Sequence, residues 1–325
     1  MMEFTPPLLL RNKHIQSILS SIQPRKGLVR RKAKHWLANS EEHIIDCNGV
    51  RMQAFSNIQQ QAKGLVQLIH GWEGSADSNY LVSAADTLYR AGYSVFRLNL
   101  RDHGDTHHLN DSLFNSTRMD EVLTALSWGQ QQFEHRQNFL VGFSLGGNFA
   151  LRTSADMHLK KLSFSSIYAI CPVISPLETM SALNQKPRIY HDYFSKKWRQ
   201  SLHKKLQFHP DLGYGERLKS LTTLDQMNQF FVPIHTEYDN AQNYLNAYAV
   251  IDGRLDTLYA PTHIIAANDD PIIHAAQFSH LPKNDQLTLE QTQYGGHCGF
   301  LVDYALNSWI DQRLLQLINA QTQHL

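Results

Sequence analysis

Cysteine is scarce in this chain of 325 residues, which contains only Cys47, Cys171 and Cys298. Three cysteines that lie so far apart are too few for a disulfide framework, and their spacing does not match a thiolate metal site. This scarcity is typical of a protein of a reducing compartment. We therefore expect a cytoplasmic protein with no structural disulfide and no metal.

The chain also lacks an excess of charge and a long apolar run. Thirty basic and 29 acidic residues give a formal net charge of +1, so no overall field attracts nucleic acid or an anionic membrane. No stretch approaches the ~20 apolar residues that span a bilayer, and the first residues lack the apolar core of a signal peptide. We expect neither export, a transmembrane segment nor a nucleic-acid partner, while the oligomeric state stays open.

Two local basic runs, Arg25 to Lys34 and Lys196 to Lys205, are the exceptions to this balance. Charge runs of this kind usually form a solvated face. We expect both to be surface features.

The chain does contain a regular alternation of apolar runs and helical patterns. Two alternating runs around Asn48-Gly49 predict an antiparallel hairpin. Strand-like runs then alternate with helices up to Ser144, and a further strand is expected at Phe164–Cys171. This order predicts crossover connections and a mainly parallel sheet flanked by helices, the α/β class.

The length and the hydrophobic content of 42% favour one domain over residues 1–325. Residues 1–40 are interpreted as a lead-in packed on the main domain. Residues 172–259 contain helical patterns without a strong strand and are interpreted as an inserted lid or cap. The alternation resumes at 261–269, continues with a strand at 286–291 and ends in a helix expected over Phe300–Ile318.

The most informative motif is Gly142-Phe143-Ser144-Leu145-Gly146, a G-x-S-x-G pattern that follows an apolar strand and precedes a helix. Such a tight strand-to-helix turn exposes one hydroxyl, and glycines are needed where it crowds its neighbours. Ser144 is therefore the candidate nucleophile.

A serine hydroxyl needs a base and a group that orients the base. In the α/β-hydrolase order, the acid follows a later strand and the histidine lies beyond the last strand. His297, in a glycine-rich loop, is the candidate base. Asp270 is preferred as the acid because it stands just beyond the strand, but Asp269 remains open because strand ends read from sequence are uncertain by a few residues.

Acyl transfer also needs two backbone N–H groups that stabilise an oxyanion. Leu145, which follows the nucleophile, and Trp72, in the loop after an early strand, are the candidate donors. His70 is expected to shape that loop rather than to act as the base, and Asn148 to satisfy local backbone groups.

The segment Arg101 to His108 (RDHGDTHH) contains three histidines that could suggest a metal. Its spacing would place ligands on one face of a helix, but Gly104 and the turn-forming residues favour a loop. We expect no metal and no cofactor here.

Several of these motifs together resemble one known family. HGWEGS, the Arg101–Gly104 loop, GFSLGGN, NDDPI and GGHCGF, with the lead-in RNKHIQSIL, are similar to the YheT-like branch of the α/β-hydrolase superfamily, whose animal relatives are abhydrolase-domain lipid hydrolases. The resemblance covers nearly the whole chain. It implies Ser144 as nucleophile, Asp270 as acid and His297 as base.

The expected activity is that of a serine carboxylesterase acting on an ester with a small or acyl-chain group. An acyltransferase with the same three residues, and a binding protein that keeps the fold without catalysis, are the alternatives. Aromatic residues of the insertion are expected to pack on the core, with an acyl-chain channel as the second possibility; they are Tyr190, Tyr193, Phe194, Trp198, Phe208, Phe230 and Phe231.

Overall fold

A computed structural model describes residues 4–323 of the chain. At its centre is an eight-stranded sheet with the order β1-β2-β4-β3-β5-β6-β7-β8. The strands are β1 Glu41–Asp46, β2 Arg51–Asn57, β3 Leu65–Ile69, β4 Ser94–Asn99, β5 Asn138–Phe143, β6 Ser166–Ile170, β7 Thr262–Ala267 and β8 Leu287–Thr292. This confirms the α/β class predicted from the sequence.

The two ends of the sheet are built differently. β1 and β2 form an antiparallel hairpin in which Asp46 pairs with Arg51 around the Asn48-Gly49 turn, and β2 runs antiparallel to β4. All pairs from β4 to β8 are parallel. The carboxyl ends of β3 to β8 therefore meet at one edge, where the loops that follow them can share a site.

Helices cover both faces of the sheet. They are α1 Lys13–Leu19, α2 Arg25–Leu37, α3 Asn79–Arg90, α4 Met119–Gln132, α5 Leu145–Asp156, α6 Pro176–Asn184, α7 Ile189–Phe208, α8 Gly215–Ser220, α9 Leu224–His235, α10 Ala241–Ala247 and α11 Trp309–Gln323. Over residues 4–323, no helix is both long enough and apolar enough to cross a bilayer.

The core explains why the central strands read as continuous apolar runs. Every residue of β3, β4 and β6 is buried, as expected for parallel strands covered on both faces. One buried cluster contains residues of α2, α3 and α11, and a second contains residues of α4 and α5. A third joins the sheet to residues of the 172–259 segment.

The last helix begins later than the sequence predicted. It starts at Trp309 rather than Phe300, because residues 300–308 form a closed loop with a bridge between Leu301 and Ser308. Phe300 and Leu306 both have positive φ, 46° and 61°, which a right-handed helix cannot accommodate. Contacts with residues near the start of the chain hold this backbone in a loop: Gln16 bonds Leu301, and Arg25 bonds the Leu306 carbonyl.

Residues 172–259 contain the five helices α6 to α10, and no strand occurs in this fully described segment. Asn148, on α5 under the sheet edge, ties the segment to the core. Its Nδ2 donates to the carbonyls of Val173 and Tyr248, each at 2.8 Å. The side chain thus satisfies backbone groups at two distant points of this segment rather than the local ones that the sequence suggested.

Candidate active site

Ser144 lies at the turn between β5 and α5. Its backbone has φ 54° and ψ −116°, a sparsely populated region for a residue with a Cβ. The flanking strand and helix hold it there: its N–H donates to the Ile170 carbonyl at 2.8 Å, and its carbonyl accepts from the Asn148 N–H at 3.0 Å. The hydroxyl consequently stands at the carboxyl edge of the sheet, half-buried.

The glycines of the motif are required by contact distances. A Cβ on Gly142 would lie 2.0 Å from the Gly146 carbonyl oxygen, and a Cβ on Gly146 would lie 2.4 Å from that of Ile69. Each of these oxygens belongs to the backbone, so it could not shift without distorting the strand or the helix. The steric reason inferred from the sequence therefore holds in the structure.

The structure brings His297 and Asp270 to this serine. The Ser144 hydroxyl and His297 Nε2 are 2.9 Å apart, and His297 Nδ1 is 2.8 Å from Asp270 Oδ2. Because a carboxylate only accepts, Nδ1 carries the proton and Nε2 is free to accept from the serine. Asp270 Oδ1 also accepts from the N–H groups of Ile272 and Ile273 at 2.8 and 2.9 Å, which fixes the carboxylate.

Asp269, the alternative acid, occupies a different place. Its Oδ1 accepts from the Gly296 N–H at 2.8 Å, so it holds the backbone of the histidine loop rather than the imidazole. Burial, and next the neighbouring charge of Asp270, raise its pKa above the usual value despite the Gly296 bond. The structure places Asp270, and not Asp269, beside His297.

Electrostatics at His297 favour a strong base. Burial is the largest single influence and lowers its pKa, but the charges of Asp270 and Cys298 and the hydrogen bonds with them together raise the pKa well above the usual value. His70, by contrast, is fully buried, and burial followed by the nearby His103 lowers its pKa to about 3. The neutral His70 ring accepts from the Leu100 N–H at 3.1 Å and donates to the Gly71 carbonyl at 2.7 Å, so it supports the loop as expected.

The two candidate oxyanion donors flank the serine. Trp72 and Leu145 both line the cavity that contains Ser144. Leu145 is the first residue of α5, where an amide has no partner within the helix. In residues 4–323, neither N–H is paired with an acceptor. Both amides are therefore available to a bound oxygen.

The lead-in supports the histidine loop in a way that the sequence did not reveal. Ser17 Oγ on α1 accepts from the His297 N–H at 2.8 Å. Gln16 is fully buried, and its side chain bonds both backbone groups of Leu301, accepting from N–H at 2.6 Å and donating to the carbonyl at 3.0 Å. No local pattern in the sequence points to these long-range contacts.

The interpretation of the two basic runs as solvated faces is wrong for one residue in each run. Arg25 is buried and donates to the carbonyls of Ser20 and Leu306. Lys205 on α7 is buried and lies 2.7 Å from Asp102 Oδ1, with further bonds to the carbonyls of Asn110 and Ser112. An ion pair below the surface cannot be told from a surface charge by sequence alone.

Lys205 and its neighbours attach α7 to the edge of the sheet that carries Ser144. Asp102, its partner, has φ 56°, and its Oδ2 accepts from the Phe114 N–H at 2.9 Å. On the same helix, Phe194 stacks on the Trp72 indole with ring centres 5.2 Å apart. The insertion thus contacts the loop that carries one candidate oxyanion donor.

Two spaces meet at Ser144. One is an apolar cavity of about 120 Å³ beneath the insertion. Its apolar lining comes from both parts of the molecule and includes Leu145, Met180, Trp198, Phe231, Val232 and Ile272. The other is an open cleft of about 670 Å³ with a more polar lining that includes Glu73, Tyr193, Lys197 and His297.

Glu73 stands at the boundary between these two spaces, since it lines both. Burial raises the pKa of its carboxyl to about 8, although Lys197 partly opposes the shift. Near neutral pH this side chain is therefore largely protonated and can donate as well as accept a hydrogen bond.

The three histidines of the 101–108 loop do not form a cluster of ligands. His103 Nδ1 donates to the Arg101 carbonyl at 2.7 Å, and His107 Nε2 lies 2.8 Å from Ser201 Oγ. Burial lowers the pKa of His103 to about 4 and that of His107 to about 3. Both rings are structural parts of the loop against α7.

Two cysteines that are distant in the sequence meet behind His297. Cys171 directly follows β6 and Cys298 directly follows His297, and both are buried. The Cys171 thiol points to the Gly296 carbonyl at 3.9 Å, and the Cys298 thiol to the Ile170 carbonyl at 3.8 Å. Two of the three cysteines therefore lie close together in the fold, although their separation in the sequence indicated no shared site.

Fold and site together define the class of the protein. A serine at a strand-to-helix turn, a histidine beyond the last strand and an acid after the preceding one are the arrangement of α/β hydrolases. A family model described as the α/β hydrolase fold matches residues 64–304, and the chain belongs to this family.

Its curated relatives lie in the branch that the sequence motifs indicated. The chain is 26% identical to the Escherichia coli protein named "Putative esterase YheT", over 96% of this chain and 92% of that one. It is also 26% identical to human monoacylglycerol lipase ABHD2, over 99% of this chain and 80% of that one. A Saccharomyces cerevisiae medium-chain fatty acid ethyl ester synthase/esterase is 24% identical over 78% of this chain and 61% of the yeast protein. Two of these three names contain the word esterase, and the third is that of a lipase.

Solved structures agree on the fold. Est1E from Butyrivibrio proteoclasticus with bound ferulic acid has a TM-score of 0.56 at 16% identity, covering 86% of this chain and 98% of that one. A bacterial membrane phospholipase A has a TM-score of 0.58 at 14% identity, covering 94% and 92%. At such identities the likeness shows a shared fold.

Proposed function

We propose that the protein is a serine carboxylesterase in which Ser144, His297 and Asp270 form the catalytic triad. The observation that carries the proposal is the unbroken chain of hydrogen bonds from the Ser144 hydroxyl through His297 to Asp270, at 2.9 and 2.8 Å. His297 Nε2 takes the serine proton as the oxygen attacks the ester carbonyl, and Asp270 stabilises the imidazolium.

The N–H groups of Trp72 and Leu145 then stabilise the tetrahedral oxyanion. His297 returns the proton to the leaving alcohol, which leaves an acyl group on Ser144. Water, activated by the same imidazole, hydrolyses this acyl-enzyme and regenerates the serine.

The cavity and the cleft at Ser144 suggest where the acyl and alcohol parts of the ester bind. The apolar cavity under residues 172–259 fits an alkyl or acyl group, because its lining is mainly hydrophobic. The open, more polar cleft provides the way in and a place for the alcohol part. In this reading the insertion is the lid of the acyl site, and the three free, buried cysteines fit a cytoplasmic location.

Acyl transfer to an alcohol is the second candidate. The name of the yeast relative includes both synthase and esterase, and the apolar cavity would keep water scarce around an acyl-enzyme. The two candidates differ only in what attacks the acyl-enzyme. Product analysis with and without added alcohol separates them.

The decisive variant is Ser144→Ala. Its turnover of short p-nitrophenyl esters should fall by about 10⁴-fold or more, since members of a triad act as a unit. A fluorophosphonate should label the wild type at Ser144 and leave the variant unlabelled. Undiminished turnover, or equal labelling of both proteins, would refute the proposal and favour a binding protein or another nucleophile.

A further inference from the structure

The structure contains a second group of possible ligands, which shares His297 with the proposed reaction and adds two cysteines that the reaction does not use. The Cys171 and Cys298 sulfurs and a ring nitrogen of His297 all lie within 4.8 Å of one another. Two sulfurs and one imidazole are the donors that thiophilic ions such as Zn²⁺ prefer, whereas Mg²⁺ and Ca²⁺ prefer oxygen. We propose that Cys171, Cys298 and His297 form an inhibitory zinc site.

The distances suit such an ion. With Zn–S bonds of about 2.3 Å, two thiolates of a tetrahedral site stand about 3.8 Å apart. The upper limit of 4.8 Å for this trio leaves only a small closing movement. The two thiols lie between the end of β6 and the loop that follows β8, since the Cys171 thiol points to the Gly296 carbonyl and the Cys298 thiol to the Ile170 carbonyl.

The position of the site decides its effect. Both nitrogens of His297 are engaged, one with Ser144 and the other with Asp270. An ion that binds the ring must displace one of these partners, so the imidazole can no longer pass a proton between them. Binding by the thiols releases their protons to solvent and changes no oxidation state. The inhibitory effect rests on the proposed esterase function, whereas binding itself does not.

An ion can reach the trio from solvent. Cys298 and His297 line the open cleft of about 670 Å³ together with Ser144. Cys171 lies behind them, fully buried. Cys298 and His297 are therefore the members of the trio that an ion would meet first from the cleft, and Cys171 would complete the set from the interior.

The test uses the whole protein, reduced with a phosphine and stripped with a chelator. Zn²⁺ is titrated in equilibrium dialysis, and Cd²⁺ is used to detect the ultraviolet charge-transfer band of a metal thiolate. We expect one tightly bound ion per chain and loss of ester turnover that a chelator reverses. Cys298→Ala and Cys171→Ala should each weaken binding by at least 10–100-fold, whereas Cys47→Ala, at a cysteine elsewhere in the core, should not.

The outcomes separate this proposal from the proposed function. Equal zinc binding in all variants, zinc binding that spares turnover, or inhibition that is reversed by the phosphine but not by a chelator would overturn the zinc site. If the wild type neither turns over esters nor reacts with a fluorophosphonate, but binds Cd²⁺ through both cysteines, the esterase proposal fails while the metal site stands. Circular dichroism of each variant establishes that it is folded before binding is compared.

Discussion

Two adjacent aspartates at the end of β7 have different partners. Asp270 bonds the His297 ring, and Asp269 bonds the Gly296 N–H. The sequence narrowed the acid to this pair and preferred Asp270 by its position beyond the strand, but Asp269 stayed open because a shift of one residue past a strand end redirects the side chain. The resemblance to the YheT-like branch favoured the residue that the structure places at the imidazole.

These contacts predict different effects for a pair of matched substitutions. Asp270→Asn should lower kcat by about 10⁴-fold, because an amide in place of the carboxylate favours the wrong imidazole tautomer. Asp269→Asn keeps an oxygen for the Gly296 N–H, so kcat should change by less than about tenfold. Steady-state kinetics of both variants on one ester provide the comparison. The opposite ranking would make Asp269 the acid.

At the scale of elements, helix α1 supports the loop of residues 295–301, which contains His297. It contacts the loop through Ser17 and Gln16, and it contacts the insertion through His14, whose Nδ1 lies 2.9 Å from the Tyr190 hydroxyl. Helix α1 thus links the loop of His297 to the segment 172–259.

Loss of the hydrogen bond between Ser17 and His297 should reduce turnover without changing the reacting groups. Ser17→Ala leaves the His297 N–H without its acceptor, at a cost of about 1–3 kcal/mol to this loop conformation, and should lower kcat several-fold. Hydrogen exchange of residues 295–301 should rise in parallel. Ile15→Ala, at an exposed position of the same helix, is the control. Equal losses in both variants would mean that helix stability, rather than this contact, matters.

The buried pair of Lys205 and Asp102 fixes α7, the long helix of the insertion. Removing one partner leaves the other charge buried without compensation, so Lys205→Met should destabilise the protein by about 3–5 kcal/mol. The double variant with Asp102→Asn should regain part of this loss. Urea unfolding measures both, and Lys196→Met, at an exposed position on α7, should lie close to wild type. No recovery in the double variant would argue against charge burial as the cause.

The sequence predicted the features that depend on local patterns or on chain order, and it missed those that depend on contacts between distant segments. Apolar runs and the Asn48-Gly49 turn are local signals, so the hairpin and the parallel strands were predicted correctly. The Ser144, Asp270 and His297 order is a property of chain topology. In contrast, the bonds of Gln16 to Leu301, the burial of Lys205 and the loop at 300–308 depend on segments that meet only in the folded chain.

At the scale of the whole molecule, titratable groups with shifted pKa values act on stability in opposite directions. His70, His103 and His107 have pKa values lowered to about 3, 4 and 3. Asp311 and Glu73 have pKa values raised to about 6 and 8. Burial is the main cause in all five. The net pH dependence of stability is therefore a difference between opposing contributions, and single variants are needed to separate them.

The two kinds of group should change the slope of stability against pH with opposite signs. Between pH 6 and 5 the unfolded chain protonates His103 and the folded chain does not, so acid removes its contribution at about 1.4 kcal/mol per pH unit. His103→Gln should flatten the slope by up to that amount. Glu73 is protonated when folded and ionised when unfolded, so its contribution is lost as pH rises from its unfolded value towards about 8. Glu73→Gln should therefore make stability rise more steeply with pH.

Urea unfolding at several pH values between 5 and 7 gives these slopes. His35→Gln, at an exposed position, is the control and should leave the slope unchanged. Because each slope is compared with that of the wild type, a uniform loss of stability in a variant does not affect the result. A change of the same sign in His103→Gln and Glu73→Gln would contradict the burial of one of these groups in its neutral form.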